Sequence, residues 1–165
     1  MEFIRRFVGL FILYGRFALL AVGGYVFTMS SYAFSGKERA ELFVSGWRFH
    51  LGNPEGDASR QDFDDGAWRL LDLPHDWSIE GDFSADHPAR KEGGALPGGL
   101  GWYRKVFEAP REWQGKKVFV DFDGVYMNSE VFVNGNSLGV RPYGYSSLRH
   151  DLTPYLKWGE RNVLA

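Results

Sequence analysis

Beyond residue 41 the chain is interrupted by Gly, Pro, Asn or Asp at intervals of about ten residues, which leaves room for short strands and none for a long helix. Between the interruptions apolar and polar residues alternate, as in Trp47-Arg48-Phe49-His50-Leu51 and in Val118, Val120 and Phe122 with Phe119 and Asp121 between them. A period of two turns every second side chain to one face, so these segments predict half-buried strands. Further strands are expected at Trp68 to Leu71, at Trp102 to Phe107 before Pro110, and from Asn162 onward, the last cut in mid-strand at Ala165. Asn134-Gly135, set between Val131-Phe132-Val133 and Leu138, predicts a tight hairpin, because both turn residues tolerate positive φ. Asp151-Leu152-Thr153-Pro154-Tyr155-Leu156 predicts a single capped turn. Residues 42–165 therefore read as one all-β jelly roll or β-sandwich.

The first forty residues follow a different pattern. Arg5 and Arg6 precede an apolar run that extends to Met29 and is broken by Arg16, and Ser31-Tyr32-Ala33 places small residues ahead of a polar joint over residues 34–41. Residues 1–33 read as a secretory signal cleaved after Ala33 or, uncleaved, as an N-terminal anchor, while a translation start at Met29 would remove most of the run. Export is expected, to the periplasm or outer surface of a bacterium. The absence of cysteine excludes disulfides, thiolate metal sites and a cysteine nucleophile. A net charge of −2 without long charge blocks argues against nucleic acid as a partner. Aromatic residues make up 17% of the chain, which suits strand packing and also stacking on sugar rings.

Between Leu73 and Gly101 lie nearly thirty residues rich in Gly, Pro, Asp and His, without a helical or strand period, and a loop of that length in a small domain is usually functional. Asp62-Phe63-Asp64-Asp65-Gly66 lacks the alternate ligands and the final Glu of a calcium loop, Gly98-Gly99-Leu100-Gly101 lacks the Lys-Ser/Thr of a phosphate loop, and the four His lack metal-ligand spacing. No metal or other cofactor is expected. Tyr143 and Tyr145 around Gly144 are candidates for stacking on sugars, and Trp68 and Trp102 read as core.

Four blocks together resemble the N-terminal domain of glycoside hydrolase family 2, in its β-galactosidase-like branch. They are Phe63-Asp64-Asp65-Gly66-Ala67-Trp68 with Leu73-Pro74-His75-Asp76-Trp77, Gly101-Trp102-Tyr103-Arg104-Lys105, Gly115 to Val125 with Val131-Phe132-Val133-Asn134-Gly135, and Asp151 to Leu156. Leu148 departs from the aromatic residue common at that position. The resemblance implies a galactose-binding-like sandwich followed by an immunoglobulin-like domain and a TIM barrel, with both catalytic glutamates in the barrel. It therefore implies no catalytic residue in this chain, and a terminal β-linked sugar such as a galactoside as the ligand. It further implies that the loop holding His75, Asp76 and Trp77 looks onto the barrel mouth, Asp76 accepting from sugar hydroxyls and the Trp77 ring covering the C–H side of the sugar. Asp76 reads equally as a cap for its own loop, His75 as a structural hydrogen-bonder, and Glu92 as a second pocket element. A free-standing carbohydrate-binding module, a supporting domain and a homo-oligomer interface stay open.

Overall fold

The computed structural model describes residues 10–14, 40–87 and 95–165. Among the described residues nine strands form two antiparallel sheets: β1 (Leu10–Tyr14), β2 (Trp47–Leu51), β3 (Arg69–Leu71), β4 (Gly101–Glu108), β5 (Lys117–Phe122), β6 (Ser129–Val133), β7 (Asn136–Arg141), β8 (Leu148–Asp151) and β9 (Arg161–Leu164). The larger sheet runs β3-β2-β4-β9-β6-β7 and the smaller β1-β5-β8. The longest helix among the described residues is a four-residue 3₁₀ turn, Trp77–Glu80. The all-β expectation holds, and Trp47–Leu51 forms the predicted strand at the predicted bounds. The expected targeting segment and its joint lie outside the described residues except for Leu10–Tyr14, which pairs antiparallel with β5, and residues 40–41.

The alternation read in the sequence is the alternation of burial. Val118, Val120 and Phe122 of β5 are buried and face Val131 and Val133 of β6, Leu164 of β9 and Trp47 of β2 within one core cluster. Each such side chain removed from water contributes about 1.5–3 kcal/mol. On the opposite face of β5, Asp121 accepts two hydrogen bonds from Arg149 at 2.6 and 2.8 Å, across the register that pairs these residues.

The Asn-Gly hairpin forms as its chemistry requires. Asn134 has φ 51 and Gly135 φ 84, joining β6 to β7. The turn at Thr153–Tyr155 has Leu152 at its N-cap position without a side-chain cap, and Asp151 just before it accepts from the Thr153 amide through Oδ1 at 3.0 Å.

Trp68 is buried, as expected of a core residue. Trp102 is placed differently. It stacks on Phe132 at 5.9 Å, and it is half-buried outside the main cluster because Tyr103 and Phe107 take the core-facing positions of β4.

Candidate functional site

The loop that sequence analysis singled out leaves β3 through Leu73, whose buried side chain and amide bond to the Val44 carbonyl (2.8 Å) fix the loop's start. The Leu73–Pro74 peptide is cis. His75 then turns inward, its side chain only 10% exposed, between the rings of Phe49 (4.8 Å) and Tyr103 (5.7 Å). Its Nδ1 lies 2.8 Å from the Tyr103 hydroxyl, and its Nε2 lies 2.7 Å from Arg69 Nη2 and 3.1 Å from Glu80 Oε1. Both ring nitrogens of His75 thus have side-chain partners within the domain.

Asp76 remains exposed. Its Oδ1 accepts from the Ser78 amide (3.0 Å) and the Ser78 hydroxyl (2.6 Å), which caps the Trp77–Glu80 turn. Trp77 follows a different course: its ring lies so close to Gly101 that a Cβ there would come within 2.8 Å of the indole Nε1. Gly101 must be glycine for the ring to seat. Trp77 lines a cleft whose lining residues do not include Asp76.

That cleft, about 410 Å³, opens between β2, the start of β3 and the 3₁₀ turn. Trp68, Trp77, Leu51 and Pro97 supply apolar walls, and His50, Arg69 and Glu80 supply polar groups. His50 stacks on Trp68 at 5.1 Å with the planes 21° apart. Arg69 grips Glu80 with both guanidinium nitrogens, at 2.8 and 2.6 Å. The Arg69 guanidinium, and then the His75 ring, hold the Glu80 carboxyl down to about 2 against an ordinary value of 4.5. Burial first, and then the charges of Asp76 and Glu80, push the Tyr103 phenol up, so it stays protonated.

A carboxyl depressed on folding stabilises above its unfolded value and loses that contribution as the pH falls toward its folded one. Both partners are about half exposed, 50% and 44%, so solvent screening keeps the contribution of the pair small. Glu80→Gln should melt below the parent chain at pH 6, with the two melting temperatures converging as the pH falls from 4.5 to 2. A difference independent of pH would assign the loss to shape rather than charge.

Glu92 lies outside the described residues. The Ala95 carbonyl takes the Ser84 amide (3.0 Å) and lies 3.0 Å from His87 Nδ1. Tyr143 and Tyr145 are 60% and 58% exposed and pack on one another, and Tyr145 also packs on Tyr126. Gly144 makes this packing tight, since a Cβ would meet Tyr126 Cα at 2.8 Å. Among the described residues no group of His, Asp and Glu is arranged to hold a metal. Sequence reasoning missed Arg69 and Tyr103, which reach His75 because β3 and β4 flank β2, and Glu80, which reaches it from the end of the 3₁₀ turn.

Comparison with known proteins places these features. The family described as glycosyl hydrolases family 2, sugar binding domain, matches residues 91–165. A β-galactosidase of Bacteroides ovatus is 60% identical over 136 residues, covering 82% of this chain and 16% of that protein. A β-glucuronidase of Formosa agariphila is 35% identical over 122 residues, covering 72% of this chain and 12% of that protein. Among solved structures, a β-glycosidase from Bacteroides vulgatus superposes with a TM-score of 0.69 at 48% identity, over 74% of this chain and 16% of that one. The chain thus spans 12% to 16% of the length of these relatives.

Proposed function

The chain belongs to glycoside hydrolase family 2, within its sugar-binding domain, and on that premise we propose that it is the non-catalytic N-terminal domain of an exported β-galactosidase-like enzyme. Its proposed contribution to hydrolysis of O-glycosyl bonds is the loop tip at Asp76, set at the edge of a pocket whose catalytic residues lie in another domain. The single observation that carries this reading is the exposed Asp76 carboxylate. Both hydrogen bonds from Ser78 fall on Oδ1, and Oδ2 is the atom for a sugar hydroxyl.

The state of the other carboxyls supports the non-catalytic part. A glycosidase of this type needs two carboxyls about 5 Å apart, one with its proton affinity raised so that it can act as an acid. Here Asp65, Asp121, Asp151 and Glu80 are each paired with a cation. The displaced proton affinities of Asp57, Asp62, Glu80 and Asp151 are all lowered. The relative at 60% identity is named a β-galactosidase, which favours a galactoside as substrate. Export rests on the apolar run between Arg6 and Met29.

Two substitutions test the loop in the longer polypeptide that joins this domain to a catalytic barrel. Asp76→Ala should lower kcat/KM for nitrophenyl β-galactoside about tenfold, or 1.4 kcal/mol of transition-state binding. Ser78→Ala, which breaks the cap but keeps the carboxylate, should leave kcat/KM within about twofold. Equal losses in the two variants, or no loss in either, would leave Asp76 a purely structural role. The 165-residue chain alone should release no nitrophenol, and turnover that vanishes on replacing one of its acidic residues would overturn the non-catalytic reading.

A further inference from the structure

From the contact between the Tyr103 hydroxyl and Nδ1 of His75, the residue before Asp76, we infer that Tyr103 is a positioning residue for the Asp76 carboxylate, acting through the His75 ring. The inference deepens the reading of Asp76 as a pocket residue and rests on it. Three observations carry it.

The first is the local character of the Asp76 cap. Both bonds that Asp76 Oδ1 accepts come from Ser78, which belongs to the same loop. They shape the Trp77–Glu80 turn, yet they move with it and fix nothing relative to the sheet. A carboxylate that meets substrate from an exposed loop has to be held within about 0.5 Å of its working position, which calls for an anchor on a rigid element.

The second is the placing of its two chain neighbours. His75 lies against Tyr103, and Trp77 lies against Gly101. Both supports belong to β4 and stand two residues apart, so they lie on one face of that strand at a spacing of about 6.6 Å. Asp76 is therefore slung between two residues that one strand holds. Gly101 supplies only room for the indole, whereas Tyr103 supplies a directed bond to the imidazole.

The third is the direction of the bonds. Arg69 Nη2 can only donate, and at 2.7 Å from His75 Nε2 it makes that nitrogen the acceptor, while the Glu80 contact is longer at 3.1 Å. In the neutral ring the proton then sits on Nδ1 and is donated to the Tyr103 oxygen at 2.8 Å. Tyr103 keeps its own proton, because burial first, and then the charges of Asp76 and Glu80, push its ionisation up. Arg69 is in turn gripped by Glu80, and Phe49 packs on the imidazole at 4.8 Å. The ring next to Asp76 is thus fixed at both nitrogens and on one flank.

The test uses the longer polypeptide in which Asp76→Ala is measured. Tyr103→Phe removes one oxygen and keeps the ring that packs on Phe49 and His75. It should lower kcat/KM for nitrophenyl β-galactoside about fivefold, and in the Asp76→Ala background it should lower it no further. In the 165-residue chain the same substitution should speed hydrogen exchange of the Ser78 amide, which donates to Asp76, at least about threefold. Losses from Tyr103→Phe and Asp76→Ala that multiply, or an exchange rate at Ser78 equal to that of the parent chain, would overturn the inference. A loss in Asp76→Ala with none in Tyr103→Phe brings down the role of Tyr103 alone, whereas Asp76→Ala without effect brings down the reading of Asp76 and this inference with it.

Discussion

Replacing Arg104 with Met should cost this domain about 3–5 kcal/mol, read as a drop in melting temperature of about 10 °C and a proportional fall in the urea midpoint. Arg104 lies on β4, and its side chain is fully buried. Its Nε donates to Asp65 Oδ2 at 2.9 Å, and Nη1 donates to the carbonyls of Ala58 and of Arg60, the latter at 3.0 Å. Nη2 reaches the Phe63 carbonyl at 3.5 Å, and the guanidinium lies 5.1 Å from the Phe63 ring centre. One cation thus organises the whole loop from Ala58 to Asp65, a segment without regular strand or helix.

Methionine would fill much of the volume but leave Asp65, only 14% exposed, as a charge without its partner, and three carbonyls without their donor. Arg104→Lys should rescue little, because a single ammonium on a shorter fork cannot reach acceptors spread from residue 58 to residue 65. Asp65→Asn keeps an acceptor for Nε and should cost less than half as much. A urea midpoint that moves less for Arg104→Met than for Asp65→Asn would show that the loop is held by packing rather than by the guanidinium.

Arg104 also marks where sequence reading stops. The strands were legible because burial alternates with period two, and it is this alternation that puts Val118, Val120 and Phe122 at zero to 6% exposure. The Asn134-Gly135 turn was legible because its backbone needs are local. Arg104 sits in a stretch, Trp102-Tyr103-Arg104-Lys105-Val106-Phe107, that pairs rather than alternates its apolar and charged residues, and it is buried on the side opposite the core, under a loop some forty residues earlier in the chain. Nothing local distinguishes it from a solvent-facing Arg.

The candidate site divides in the same way. Asp76 as a cap follows from its spacing to Ser78, two residues on. The grip of Arg69 on Glu80 crosses eleven residues and depends on the 3₁₀ turn folding back on β3, while the seat of Trp77 depends on Gly101 in another strand. The sequence therefore points to the loop and groups the indole with its chain neighbour Asp76, whereas the lining of the cleft groups it with Glu80.

Asn162 shows how much a residue read only as the start of a strand can carry, and Asn162→Ala should cost about 3 kcal/mol. Its side chain is wholly buried at the entrance to β9. Oδ1 accepts from the Lys157 amide and from Asn134 Nδ2, both at 2.8 Å, and Nδ2 donates to the Lys157 and Glu160 carbonyls, both at 2.9 Å. That is the full capacity of one amide group. Asn134, whose positive φ makes the hairpin turn, also donates to the Tyr155 carbonyl and accepts from the Val163 amide, each at 2.9 Å.

The two asparagines thus join the β6–β7 turn, the segment after Thr153–Tyr155 and strand β9 into one network without charge. Asn134→Gly preserves the turn conformation while removing the side chain, so its cost, expected at about 1–2 kcal/mol, isolates the network from the turn. Asn162→Asp is the sharper probe, because it keeps the shape and turns two donated bonds into an anionic oxygen facing two carbonyls. Burial and those carbonyls would raise the folded-state pKa of the new carboxyl above its unfolded value. Its stability should then be greatest below the unfolded carboxylate range and fall as the pH rises through that range toward neutrality, the opposite of the Glu80 dependence. Asn162→Asp as stable as the parent chain at pH 7 would mean that the amide contributes no directed hydrogen bonding and that β9 is held by its apolar residues alone.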